Sequence, residues 1–312
     1  MEVHQELEMT LRSCLLILLT CGAAARAEEA VRLGVAWKMD KMVEVQQTVE
    51  FRSEGLDKDG KALGTGSGRT EFTLDEIWTE FCEQKAEPIG KPAVRRRFVT
   101  SRLAIGKDPP QATRTEGSEV LTELTFSPTS TTIVRGNASD STLAVLGRGG
   151  WEPATTMLPK IAVKPGTQIR DLDAGPFLRV SLASLCGALG PTPEKIAGTY
   201  GKTLAQGALP CWQAQGNGEV KLDGNIATLT ITGKDAVDDH TPPTAIRGRA
   251  RGTYEVKGRF VLNYKTSVAI SIEIEVNQTI EFSPLLAAAP TGSQAAKFRE
   301  SMKVVRRYGE AK

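Results

Sequence analysis

The sequence predicts a mainly β protein: a long curved antiparallel sheet, or two half-barrel-like β halves, with one or two short helices. Three observations predict it. Apolar and polar residues alternate with period two through much of the chain, as strands with one buried face require. Glycine and proline are plentiful, 30 and 16 in 312 residues, and many sit in clusters between the alternating runs. Helix start signals are confined to a few stretches.

From the N-terminus, Leu33, Val35, Trp37 and Met39 alternate with polar or small residues, and Val43, Val45, Val49 and Phe51 follow a turn at Asp40-Lys41. These read as a long hairpin. Further strands are expected over 69–82, 95–105, 118–126, 131–135, 141–146, 160–170, 218–223, 225–233, 246–256 and 258–266. Asp57-Lys58-Asp59-Gly60, Asp223-Gly224-Asn225 and Lys257-Gly258 supply turn chemistry between them. The clearest strand is 268–282, where Val268, Ile270, Ile272, Ile274, Val276, Ile280 and Phe282 share a face broken only by Gln278. Thr192-Pro193-Glu194 offers a cap and a proline for a helix over 192–205. Residues 178–189 fit a helix or a buried strand equally, and 294–309 reads as a short basic helix. The resulting organisation is a leader over 1–27, a β-rich half over 28–148, a second over 149–285, and a linker with a basic tail over 286–312.

The leader has the pattern of a secretory signal peptide: Arg12, the apolar run Leu15 to Leu19, small residues from Gly22, and Ala25-Arg26-Ala27 before Glu28. Glu2, Glu6 and Glu8 are out of place in such an n-region, so translation is expected from Met9. Leu18 and Thr20 do not make the small-residue approach that a lipidated Cys21 needs. The expected location is the periplasm or the exterior, with no transmembrane anchor after cleavage.

Cys82, Cys186 and Cys211 remain after the leader. An oxidising compartment favours one disulfide, expected between Cys186 and Cys211 although spacing leaves the connectivity open. Cys82 then reads as a small buried hydrophobe.

A first strand around Leu33-Gly34-Val35-Ala36-Trp37-Lys38, Leu158-Pro159 followed by Val163-Lys164-Pro165-Gly166, and a final stretch from Gly248 to Phe282 together resemble uncharacterised exported bacterial β-rich proteins. That resemblance implies a β-rich exported chain and brings no activity with it. In architecture alone, the long one-face-apolar strands also look like the open half-barrels of envelope lipoprotein carriers.

The chemistry is restricted by what is scarce. His4 and His240 are the two histidines, and His4 belongs to the leader, so no histidine-based metal site or zinc cluster is expected and no cofactor is implied. His240 lies in the polar turn Asp238-Asp239-His240-Thr241-Pro242-Pro243 and reads as a solvated loop residue. Carboxylate pairs such as Asp75 with Glu76, or Asp171 with Asp173, are expected to face outward. Gly64-Thr65-Gly66-Ser67-Gly68 lacks the lysine of a phosphate loop. Asp57, Asp59 and Gly60 begin a calcium-like loop that no later acid completes.

The net charge of +2 excludes a whole-chain polycation, so no nucleic-acid partner is expected. Locally, Arg247, Arg249 and Arg251 form a basic stripe, expected to pair with Glu273 or Glu275 on the next strand. Trp37, Trp78, Trp151 and Trp212 are scattered and read as packing residues. The reading that follows is an exported non-enzymatic envelope protein, a structural or protein-interaction module. Its alternative is a carrier or sensor holding a lipid or other apolar ligand on the concave face, lined by Trp37, Val45, Ile270, Ile272 and Ile274. A carboxylate-dependent hydrolase ranks behind both.

Overall fold

The computed structural model describes residues 30–36, 41–63, 69–84, 92–123, 131–136, 157–189, 214–239, 248–284 and 296–310. The protein is mainly β, with twelve strands in one antiparallel sheet that is not closed. The first six strands are β1 (Met42–Leu56), β2 (Arg69–Gln84), β3 (Pro92–Ile105), β4 (Gln111–Ala112), β5 (Glu119–Glu123) and β6 (Thr131–Arg135). After them come β7 (Gln168–Asp173), the helix α1 (Gly175–Leu189), β8 (Gln215–Asp223), β9 (Ile226–Asp239), β10 (Gly248–Asn263), β11 (Val268–Pro284) and β12 (Ala296–Glu310). The spatial order is β6-β5-β3-β2-β1-β12-β11-β10-β9-β8-β7, with β4 hung on β3.

Strands adjacent in the sequence are mostly adjacent in the sheet, and the first and last strands pair over fourteen residues, Val43 with Glu310 through Leu56 with Lys297. The C-terminal strand therefore joins the N-terminal meander to the C-terminal one. The edges are β6 and β7.

Period two explains the layering. On β1 the odd residues Val45, Gln47, Val49, Phe51 and Ser53 are buried, and on β2 the even residues from Phe72 to Cys82. Register places these beside the buried even residues of β12 and β11. One inner face results, while Glu273, Glu275, Lys257 and Arg259 stand exposed on the outer face.

Two glycines let the strands approach. A Cβ at Gly252 would lie 1.9 Å from the Thr279 carbonyl oxygen, and one at Gly258 2.3 Å from Ile274 Cδ1. Glycine inside a strand marks such close approach or a tight bend.

Helix α1 covers the inner face. Asp173 Oδ1 accepts the Gly175 N–H at 2.8 Å at its start, and Pro176 sits in its first turn, where its missing N–H costs nothing. Phe177, Leu178 and Leu185 are fully buried in the same core as Val49, Leu74, Ile274, Val304 and Leu229. The ambiguous stretch 178–189 is thus helical, and the helix lies against β3 and β1.

Four expectations are corrected. The tail is not a basic helix but β12, one of the central strands. Its inward residues are Phe298, Glu300, Met302, Val304, Arg306 and Tyr308, and the two charged residues among them hide the alternation. The 33–39 strand does not form over the described 30–36, where Val31 bridges Val163 instead; both edges of β1 are already taken by β2 and β12. Lys257-Gly258 is not a turn, since β10 runs through it from Gly248 to Asn263. Of 160–170, only the part from Gln168 is a strand, and β7 carries a bulge where Asp171 takes φ 58°. The expected strand over 141–146 and helix over 192–205 lie outside the described residues.

Candidate functional site

The inner face of a sheet this apolar should be apolar throughout, and two transverse rungs and a buried Glu80–Arg96 pair break that rule. The first crosses Ser101 on β3, Glu76 on β2, Gln47 on β1 and Arg306 on β12. It separates an aromatic cluster of Val45, Trp78, Phe98 and Val120 from the main core. Glu76 is only 3% exposed. Its Oε1 accepts from Ser101 Oγ at 3.0 Å and its Oε2 from Gln47 Nε2 at 3.3 Å. Arg306 donates Nε and Nη2 to Gln47 Oε1 at 3.0 and 2.6 Å. The guanidinium carbon lies 4.8 Å from the Phe177 ring centre and 5.5 Å from that of Trp78, within cation–π range. Burial pushes the Glu76 carboxyl up to about 7, and the Ser101 hydrogen bond, the Arg306 charge and the Gln47 hydrogen bond pull the other way.

The second rung crosses Ser53, Glu300, Gln278 and Tyr254. Glu300 accepts from Ser53 Oγ at 3.2 Å and from Gln278 Nε2 at 2.7 Å, and Tyr254 donates its hydroxyl to the Gln215 carbonyl at 3.2 Å. Gln278, the one break in the 268–282 pattern, is therefore the partner of a buried carboxylate. Its Oε1 and the Oε2 of Glu80 are buried without a hydrogen-bond partner. Glu80 Oε1 meets Arg96 Nε and Trp78 Nε1, both at 2.8 Å.

On the outer face, a groove of about 560 Å³ runs across β1, β12, β11, β10 and β9 over the backbone of the second rung. Its walls are two rows of outward side chains, Arg52-Ser301-Asn277-Glu255-Lys234 and Glu54-Arg299-Thr279-Thr253. The charges in those walls are largely matched locally: Arg52 with Glu71 at 2.8 Å, Arg299 with Glu54 at 3.4 Å and Glu255 with Lys257 at 3.0 Å.

Of the residues expected to line a ligand, Val45, Ile272 and Ile274 are fully buried. Val45 belongs to the aromatic cluster and the two isoleucines to the main core. Ile270 is corrected to the outer face at 37% exposure. Val261 pairs Ser271 and Leu262 pairs Ala269, so Ile270 is the extra residue of a bulge and Ala269 takes the inward place. Trp37 lies outside the described residues.

In the basic stripe, Arg251 is exposed and in register with Glu281 and Asp238, not with Glu273 or Glu275. Arg249 is opposite Ser283, and Arg247 is outside the described residues. Glu273 instead meets Lys303 at 2.8 Å. Cys186 falls in α1 and Cys211 outside the described residues, as do His240, Trp151, Trp212 and 64–68; Cys82 is buried. Asp75 is exposed as expected and accepts from Thr48 Oγ1 at 2.7 Å. Glu76 is corrected from outward to inward. Its parity with Phe72, Leu74 and Trp78 was the signal that could have found it.

Among the described residues no group of three or more histidine, cysteine or acidic side chains could hold a metal ion, and no helix is long and apolar enough to cross a membrane. No protein-family model and no curated protein matches the chain. Among solved structures, the crystal structure of Pseudomonas aeruginosa OpdQ matches at 7% identity over 86% of this chain and 97% of that one, with a TM-score of 0.21. A likeness that low carries no argument about fold or function. What the fold and its polar rungs define is a class: an open antiparallel sheet whose inner face packs against a helix of the same chain.

Proposed function

We infer that the protein is an exported, non-enzymatic envelope protein that serves as a structural or protein-interaction module and does not carry an apolar ligand. The observation that carries this reading is the complete burial of Phe177, Leu178 and Leu185 of α1 against the inner face. An apolar concave surface of this size must be covered by something, and here the chain covers it. The side chains expected to line a ligand, Val45, Ile272 and Ile274, have no exposed surface left to offer.

Export rests on the pattern of residues 1–27 and the soluble form on the outer face. Strands that cross a membrane present an apolar band outward. Here β10 and β11 present Arg251, Lys257, Arg259, Glu273 and Glu275. That charged face and its groove are the surface offered to a partner. The acids do not favour a hydrolase: Glu76 is tied into the Ser101–Gln47–Arg306 network under α1, and of the groove acids Glu54 pairs with Arg299, Glu255 with Lys257, and Glu300 accepts from Ser53 and Gln278.

Native mass spectrometry of the full chain, expressed with its leader in a bacterial host and purified without detergent, tests the reading. The expected result is the mass of residues 28–312 with no adduct. A lipid-mass adduct that leaves on denaturation would replace the module with a carrier.

A further inference from the structure

The first polar rung does more than sit beneath α1: it is physically continuous with it. Ser101 and Gln47 hold the two oxygens of Glu76, Gln47 Oε1 holds Arg306, and the Arg306 guanidinium lies against the ring of Phe177 in the first turn of the helix. Gln47 has one amide orientation that serves both neighbours, its NH2 toward the carboxyl and its oxygen toward the guanidinium. We propose that Glu76, Gln47 and Arg306 form a proton-sensitive tie that sets how firmly the first turn of α1 is held on the sheet.

With Glu76 neutral, Arg306 donates to Gln47 Oε1 and lies against the rings of Phe177 and Trp78. With Glu76 ionised, the carboxylate competes for the guanidinium and draws it away from Phe177. A buried carboxylate also demands hydration, and α1, the cover on this face, must yield to admit it. The groups around Glu76 come from several elements. From β12 comes Arg306, and from β1 the uncharged Gln47. From β3 comes the uncharged Ser101, with Arg96 further along and engaged by Glu80 at 2.8 Å. The turn before β5 contributes Glu116, whose Oε2 accepts the Ser101 N–H at 3.1 Å. Phe177, the α1 residue that lies against Arg306, carries no charge. The Glu76 carboxyl, raised to about 7 by burial, places the transition in the neutral range.

Hydrogen exchange of the full chain at pH 6 and pH 8, corrected for the intrinsic rate, reads the tie at residues 177–181 against β11 as internal reference. If opening of this turn returns Glu76 to its ordinary range, its opening constant rises about tenfold between the two pH values, and Glu76→Gln removes the rise. Equal corrected protection at both pH values in the wild type would overturn the tie, as would a tenfold rise retained in Glu76→Gln. A second readout needs no variant: the 13C shift of the Glu76 carboxyl should titrate near pH 7 in step with the Phe177 ring protons. A midpoint below 5, or Phe177 signals indifferent to it, would overturn the proposal equally.

Discussion

Replacing Glu76 with glutamine should flatten the pH dependence of stability in one defined window. The carboxyl is raised from 4.5 to about 7 by burial, so the folded protein keeps a proton there that the unfolded chain has released. A group raised in this way contributes most below its unfolded value and loses that contribution as pH climbs through the folded one. At about 1.4 kcal/mol per pH unit, the shift from 4.5 to about 7 is worth about 3 kcal/mol, most of it lost between pH 5 and pH 8. Glutamine keeps the shape and an acceptor for Ser101 Oγ and cannot ionise. Urea unfolding of both proteins at pH 5, 6, 7 and 8 gives the comparison, the difference in stability cancelling every other titrating group. The gap should move by about 2 to 3 kcal/mol in favour of the glutamine variant as pH rises. A gap constant to within about 0.5 kcal/mol across the range would refute the claim that Glu76 is buried in this network.

Other perturbations have equally definite outcomes. Phe177→Ala empties a fully buried site on the inner face and should cost about 3–5 kcal/mol, read from the urea midpoint. Gly252→Ala places a methyl against the Thr279 carbonyl oxygen, 1.9 Å away before relaxation, and should cost at least about 2 kcal/mol or prevent folding. Gly34→Ala, with nothing within 4 Å of the new Cβ, should change the melting temperature by no more than a degree or two. Arg251→Gln removes an exposed charge and should alter stability by less than about 0.5 kcal/mol, measured in the same urea titration.

Much of the sheet was legible because its signal is local. The alternation in β1, β2, β3 and β11 states both the strand and its buried face, and Gly224 and Gly60 turn where expected with φ of 56° and 78°. The failures share a cause: the residue that decides the structure sits on another strand. Glu300 and Arg306 disguise β12 as a polar tail, yet each faces a partner brought beside it by the sheet, Ser53 and Gln278 for the one and Gln47 for the other. Gly258 looks like a turn residue until Ile274 is seen to need its space. Ile270 looks inward until the bulge opposite Val261 and Leu262 turns it out. The candidate site fares likewise, since Glu76 is a polar residue in an apolar row and its partners Gln47 and Ser101 lie 29 and 25 positions away in sequence on neighbouring strands. The general idea that something must cover the concave face was readable from amphipathic strands, but which segment does so was not.

α1 packs on the inner face of the sheet, and the Phe177–Arg306 contact marks that packing most directly. In the free protein, NMR should show cross-relaxation between the Phe177 ring protons and the Arg306 side chain, whose guanidinium carbon lies 4.8 Å from the ring centre. The Arg306 δ protons should also be shifted upfield by that ring and by Trp78. Absence of both effects, with a Phe177 ring accessible to a soluble paramagnetic probe, would mean that the helix does not occupy the face and that the account of a self-filled sheet is wrong.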